Sequence, residues 1–168
     1  MRISVEEGGP VYAFREVRGV PLGPGAEEDR GLRVRRAFLL PDGTLRPEGP
    51  FRQGEPFIVE ISLHTAADLK NVVVVDALPA GFEIENPALV TSDGRTETGH
   101  GFGLVRSEVR DVRLILFAHP SAGDSAHRYV ARAVTRGSFA LPPIAAECMY
   151  DSSIRSIHGA GRVEVEGR

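Results

Sequence analysis

Residues 57–64, "FIVEISLH", place an apolar side chain at every second position. The apolar residues that share one face are Phe57, Val59, Ile61 and Leu63. A period of two residues is that of a β-strand, because successive side chains of a strand point to opposite sides of the sheet. This stretch therefore predicts a strand with one face packed on a core.

The flanking stretches extend the β pattern and vary it. "NVVVVDALP" (71–79) is rich in β-branched residues and lacks polar alternation, which predicts a central strand buried on both faces. "LRVRRAFLL" (32–40) loses its alternation at Arg35–Arg36, which predicts a β-bulge there. "SFALPPIAAECMY" (138–150) is extended but interrupted by two consecutive prolines, which suits an edge strand or a bent strand.

The polar, glycine-rich segments 19–31 and 91–101 predict exposed loops. Further strand-like stretches lie outside these segments. These stretches are 10–18, 112–119, 127–135 and 161–167. No segment sustains a helical apolar period over three turns. About eight or nine short strands indicate an all-β fold, an antiparallel two-sheet β-sandwich of the immunoglobulin or fibronectin III type with at most one short helix. A chain of 168 residues has the size of a single domain.

The net charge and the length of the apolar runs argue against two classes of partner, nucleic acid and the interior of a membrane. A net charge of −3 and a pI near 6.0 give no basic surface for nucleic acid. The longest apolar run, residues 72–75, is far too short to cross a bilayer, so no direct membrane insertion is predicted.

The chain contains one cysteine, Cys148, and five histidines. A catalytic cysteine needs a base within reach and a lowered pKa, and no histidine stands in a recognisable pairing motif with Cys148. The apolar, extended surroundings predict a buried structural thiol instead. The spacings typical of metal sites are also absent from the sequence. We therefore predict no catalytic residue, no metal ligand and no cofactor, and we expect the chain not to be an enzyme.

The tail of the chain carries a more specific pattern. "ARAVTRGSFALPPIAAECMYDSSIRSIHGAGRVEV", residues 131–165, resembles the C-terminal domain of bacterial alpha-2-macroglobulins, in which a Met-Tyr turn follows a Pro-Pro pair. Ser152 stands where this family usually has proline, which predicts a looser turn. The stretches 9–21, 31–43 and 71–87 extend the likeness over nearly the whole chain. The resemblance implies one β-sandwich domain over 1–168, excised from a larger multidomain chain, with 1–8 as a flexible leader.

In this family a protease cuts a bait region, and a thioester exposed by the resulting collapse captures the attacker. The thioester forms in a Cys-x-Glu-Gln motif, whereas Cys148 is followed by Met-Tyr-Asp and the only glutamine is Gln53. The resemblance thus implies a non-catalytic domain of an endopeptidase inhibitor that docks on the thioester domain and shields it. It further implies contact with neighbouring macroglobulin-like domains, only indirect contact with proteases, and a location in the periplasm or cell envelope of a bacterium.

The residues that the resemblance implies for this interdomain contact are Tyr150, Met149, Arg155 and Asp151. Tyr150 would be the apolar cover, and Arg155 would hold the loop or pair across the interface. An alternative is that Tyr150 is a core or corner tyrosine of the sandwich. Strand alternation predicts that Met149 and Tyr150 face opposite ways, so that only one of them points outward.

A second class of function is an adhesive or spacer module of a bacterial surface protein. Residues 54–83 also resemble the β-sandwich repeats of such proteins. This likeness covers about 30 residues of the chain and leaves the tail unexplained.

Overall fold

The computed structural model describes residues 12, 14, 16, 26–47, 49–85 and 97–167. The expected leader at 1–8 and most of the predicted strand at 10–18 lie outside this range. Every regular element in the described part is a strand. The fourteen strands are β1 Glu28–Arg30, β2 Leu32–Leu39, β3 Phe51–Arg52, β4 Pro56–Thr65, β5 Val72–Ala77, β6 Phe82–Ile84, β7 Glu97–Thr98, β8 Leu104–Arg110, β9 Arg113–Ala118, β10 Gly123–Ala133, β11 Gly137–Leu141, β12 Ile144–Cys148, β13 Asp151–His158 and β14 Gly161–Glu166.

The strands form three sheets. A six-stranded antiparallel sheet has the order β1-β13-β12-β5-β9-β8, and a five-stranded sheet has the order β2-β4-β10-β6, with β7 also paired to β10. In the third sheet, β11-β14-β3, β14 and β3 run parallel. One hydrophobic core joins all three, because each sheet contributes side chains to the same buried cluster.

The inward face of β4 lies at the centre of this core, as its alternation predicts. Phe57, Val59, Ile61 and Leu63 are all buried. Edge-to-face contacts between aromatic rings join two of the sheets: the ring centroids of Phe38 on β2 and Phe51 on β3 are 5.3 Å apart.

The all-β sandwich is confirmed, with two differences from the expected count of strands and sheets. There are more strands than eight or nine because several have only two or three residues, too few to show a period in the sequence. The third sheet arises because the chain leaves one sheet and enters another at Pro142 and Pro143. Proline has no N–H to donate to a sheet, so a pair of prolines is a natural point for this change.

The bulge expected at Arg35–Arg36 is wrong. The pairing of β2 with β4 runs without a register shift from Leu32↔Thr65 to Leu39↔Ile58. Arg36 instead occupies an inward position, where its guanidinium lies 2.5 Å from the Asp76 carboxylate. The polar residue that interrupts the apolar pattern is thus half of a buried ion pair.

Two further strands differ from expectation in their burial or position. β5 is central in its sheet, as predicted, but Val73 and Val75 are only half-buried, so one of its faces is partly open. β12 is not an edge strand, because it lies between β13 and β5. The extended stretch at 138–150 is bent, since it divides into β11 and β12.

His127 on β10 makes the stability of the fold dependent on pH. It is 3% exposed and lies 5.6 Å from the ring of Phe102. Burial lowers the pKa of His127 from 6.5 to about 4. Between these values the unfolded chain binds a proton that the folded chain does not, so lowering the pH favours unfolding.

We expect the free energy of unfolding to fall by up to about 3 kcal/mol across this interval because of His127. Urea unfolding at several pH values should show the loss, and His127→Leu should flatten this part of the profile. Asp29, whose pKa is lowered to about 2 chiefly by its hydrogen bond from Arg35, acts at lower pH and is separable. An equally steep profile in His127→Leu would contradict the prediction.

Candidate functional site

The hairpin formed by β12 and β13 presents an exposed apolar tip. Cys148 pairs with Asp151, so that Met149 and Tyr150 form a two-residue turn. Tyr150 is 84% exposed and Met149 is 51% exposed. The expectation that only one of them points outward is wrong, because alternation holds within strands and these residues lie in a turn.

Tyr150 is also not the core tyrosine that the alternative interpretation required. That position is taken by Tyr129, which is 1% exposed and donates its hydroxyl to Asp76 Oδ2 at 2.7 Å. Met149 and Tyr150 are neighbours and both exposed, so they form a contiguous apolar patch, and such patches mark interaction sites. The Met149–Tyr150 turn is therefore a candidate contact surface.

Asp151 shapes the chain directly after the turn. Its Oδ1 accepts hydrogen bonds from the Ser153 N–H at 3.0 Å and from the Ser153 hydroxyl at 2.6 Å. These bonds lower the pKa of Asp151, which keeps the carboxylate charged and bonded. An Asp that bonds to the backbone two residues on forms a turn without proline, so these bonds hold the chain around Ser152.

Arg155 lies apart from the other three predicted contact residues. Its Nε is 2.9 Å from Glu28 Oε2 on the neighbouring strand β1, with 46% of the arginine side chain exposed. It therefore joins two strands of the sheet and does not hold the turn. The structure brings Met149, Tyr150 and Asp151 together and places Arg155 further along β13.

The ion pair of Arg155 and Glu28 borders a groove of about 350 Å³ on the outer face of the six-stranded sheet. Val73, Val75 and Ala145 are among the residues that line it. The sequence analysis did not predict this groove, because it expected both faces of β5 to be buried.

Cys148 is a buried thiol, as predicted. It is 7% exposed, and its Sγ lies 3.7 Å from the main-chain oxygen of Lys70. Burial and the charge of Asp151 raise the pKa of the thiol, which keeps it protonated and unreactive.

Two residues at the site were missed by the sequence analysis. The Met149 N–H donates to the main-chain oxygen of Asn71 at 2.9 Å, and the Asn71 N–H donates to His119 Nδ1 at 3.0 Å. An asparagine directly before a β-branched run is a signal for a residue with positive φ. His119 has no comparable signal in the sequence.

The described residues offer neither a cluster of metal ligands nor a membrane-spanning helix. They contain no group of three or more histidine, cysteine or acidic residues that could hold a metal ion. Within the same ranges, no helix has the length and apolar character needed to cross a bilayer.

The fold and the exposed hairpin tip define an immunoglobulin-like β-sandwich domain of the macroglobulin class. Residues 31–152 match the family of the bacterial alpha-2-macroglobulin MG10 domain. The chain belongs to this family, which confirms its resemblance to bacterial alpha-2-macroglobulins and favours it over the surface-repeat alternative.

Relatives and solved structures agree with this assignment. Alpha-2-macroglobulin of Xylella fastidiosa (strain Temecula1) is 34% identical over 165 residues, which cover 92% of this chain and 10% of the relative. The Escherichia coli K12 protein is 25% identical over 162 residues, covering 89% and 10%. This chain thus spans about a tenth of the length of these relatives.

The crystal structure of a Salmonella alpha-2-macroglobulin mutant superposes with a TM-score of 0.77 at 26% identity, covering 88% of this chain and 10% of that one. A native Escherichia coli fragment that runs from domain MG7 to the C-terminus gives 0.77 at 25% identity, covering 88% and 25%.

Proposed function

We propose that this domain is a non-catalytic part of an alpha-2-macroglobulin-type endopeptidase inhibitor, in which it docks on the thioester domain and shields the thioester. The proposal rests mainly on the Met149–Tyr150 turn, two large apolar side chains exposed at the tip of a hairpin in a domain of this family. The turn is the contact, with Tyr150 as the cover.

The chemistry of a thioester explains why it needs such a cover. Water or an amine attacks its carbonyl carbon, the carbon–sulfur bond breaks, and the cysteine leaves as a free thiol. One of the Salmonella relatives was solved after reaction with methylamine, a small amine. An apolar side chain placed over the bond excludes such nucleophiles before a protease arrives.

The side chains of the turn suit this role. Tyr150 offers a rigid apolar ring with few rotamers to fix on docking, and its hydroxyl provides one polar point of contact. Met149 is flexible and polarisable, so it adapts to the surface beside the ring. Asp151 fixes the chain directly after the turn, and Arg155, already paired with Glu28, contributes at the border of the contact.

The remaining parts of the proposal follow from the family. The partners of the domain are the thioester domain and neighbouring macroglobulin-like domains of one longer chain, and proteases meet it only indirectly. The domain catalyses no reaction and acts in the periplasm or cell envelope. The open reading frame should extend upstream of this chain and encode a Cys-x-Glu-Gln motif there. A stop codon directly upstream would contradict the proposal.

Tyr150→Ala in the intact inhibitor should release free thiol without any protease. Removal of the ring lets water and amines reach the thioester, so we expect release on the order of a hundredfold faster than in the parent, since excluded water is worth several kcal/mol here. A thiol reagent under native conditions measures this, and a Cys148→Ser background removes the thiol of this domain.

Two matched variants make the test specific. Tyr150→Phe keeps the ring and should retain most of the protection. Val105→Ala trims another exposed apolar side chain, 62% exposed on β8, and should change nothing. Unchanged thiol release in Tyr150→Ala would show that the turn is not the shield.

A further inference from the structure

The Met149–Tyr150 turn is held from outside its own hairpin. The Met149 N–H donates to the main-chain oxygen of Asn71, 2.9 Å away in the connection between β4 and β5. Cys148, directly before the turn, places its Sγ 3.7 Å from the oxygen of Lys70 in the same connection. Two successive carbonyl groups therefore contact the base of the turn.

This external contact matters because the turn lacks the usual means of fixing itself. Two-residue hairpin turns favour residues with positive φ, whose twist matches that of the strands. Among the described residues other than glycine, positive φ occurs at Asn71 and Asp111, and not at Met149 or Tyr150. The register also shifts between Glu147 and Cys148, which loosens the pairing next to the turn.

Asn71 adopts a conformation suited to its task. Its φ of 56° lies in the left-handed region, where asparagine is tolerated far better than β-branched residues. This conformation directs the Asn71 carbonyl to the Met149 N–H while its own N–H reaches His119 Nδ1 at 3.0 Å. Both bonds use the main chain of Asn71, so the residue acts through its backbone shape.

His119 supports Asn71 from the opposite side. Its Nδ1 lies 3.0 Å from the Asn71 nitrogen and 3.1 Å from the main-chain oxygen of Ala118. The bond from the Asn71 N–H forms in the tautomer that carries the ring proton on Nε2, whereas the other tautomer donates from Nδ1 to Ala118. The position of His119 is fixed in turn, because its main-chain N–H donates to the oxygen of Gly103 at 2.8 Å. The Leu69 N–H adds a second bond between these connections, to the oxygen of Pro120 at 2.9 Å.

We infer that Asn71 and His119 are positioning residues for Tyr150: the chain of bonds from His119 through Asn71 to Met149 sets where the ring lies when it covers the thioester. This inference rests on the proposed function. It extends the site from the β12–β13 turn to the β4–β5 and β9–β10 connections, which join the six-stranded and five-stranded sheets. It also assigns a role to two residues outside the Met-Tyr motif.

The first test uses this chain alone and measures hydrogen exchange of the Met149 amide. Asn71→Val disfavours positive φ and should speed exchange by roughly tenfold or more, because the carbonyl moves away. Asn71→Gly keeps the conformation and should leave exchange near the original rate. His119→Ala should give a smaller increase, since water can replace its acceptor.

Asp111→Val is the matched control for loss of stability. Asp111 also has positive φ, 53°, but lies in the turn between β8 and β9. Its replacement introduces the same backbone strain elsewhere, so it should lower the melting temperature as Asn71→Val does without changing Met149 exchange. Unchanged Met149 exchange in Asn71→Val would overturn the inference.

The second test measures thiol release in the intact inhibitor. Asn71→Val should release thiol at a rate approaching that of Tyr150→Ala, whereas Asn71→Gly and Asp111→Val should not. If Tyr150→Ala releases thiol and Asn71→Val does not, the inference fails and the proposed function stands. If Tyr150→Ala itself releases none, the proposed function fails and the inference fails with it.

Discussion

Replacing Asp76 with alanine is expected to lower the free energy of unfolding by about 3–5 kcal/mol, because it leaves the charge of Arg36 buried without a partner. The Arg36 and Asp76 side chains are 2% and 0% exposed, and their nearest charged atoms are 2.5 Å apart. The loss also deprives the Tyr129 hydroxyl of its acceptor.

Chemical unfolding monitored by circular dichroism would measure this loss. The double variant Arg36→Met, Asp76→Leu removes both charges and fills the space, so it should recover part of the stability lost in Asp76→Ala. The recovery is incomplete because the Tyr129 hydroxyl and the Pro142 and Gly159 oxygens lose their partners. If the single variant folds too poorly to measure, Asp76→Asn keeps an acceptor and should give a smaller loss. A loss under about 1 kcal/mol in Asp76→Ala would mean that water reaches the pair.

The second large effect is expected at Gly103, where alanine should cost about 3–5 kcal/mol. Gly103 has a φ of 62°, and a Cβ built on it would lie 2.1 Å from the main-chain oxygen of His119. The added methyl group must therefore push backbone against backbone, which a rotamer change cannot relieve.

Gly43→Ala separates overlap from backbone strain. Gly43 also has positive φ, 85°, but a Cβ there meets nothing within 4 Å. We expect it to cost only about 1 kcal/mol. Thermal unfolding of both variants would decide, and similar losses at the two positions would show that the approach of Gly103 to His119 is not tight.

The sequence predicts those parts of the fold in which the residues of a single strand are enough to show which of its faces is buried. The period of two at 57–64 identified the buried face of β4 because each side chain there follows the rule for its own strand. At Arg36 the same rule failed, since a charged residue in an apolar series indicates either a bulge or a buried ion pair. Asp76, which decides between them, lies on another strand.

The candidate site divides in the same way. The Met-Tyr motif marked the turn through its resemblance to a family, and the exposure of both side chains followed only from the hairpin geometry. The support by Asn71 and His119 could not be predicted, because it joins the main chains of Met149 and Asn71 and the ring of His119, which lie in three connections distant in the sequence. Hydrogen bonds of the main chain leave little trace in the identity of the side chains.

The guanidinium of Arg36 also donates to the oxygens of Pro142, at 2.7 Å, and Gly159, at 3.1 Å. These carbonyls flank the β12–β13 hairpin at the end opposite its tip. The buried guanidinium of Arg36 thus binds both ends of the hairpin, while Asn71 accepts a hydrogen bond from its tip. We expect the hairpin to be mechanically rigid, so that a force on Tyr150 is transmitted to the whole sandwich. The ring should then move only together with the domain.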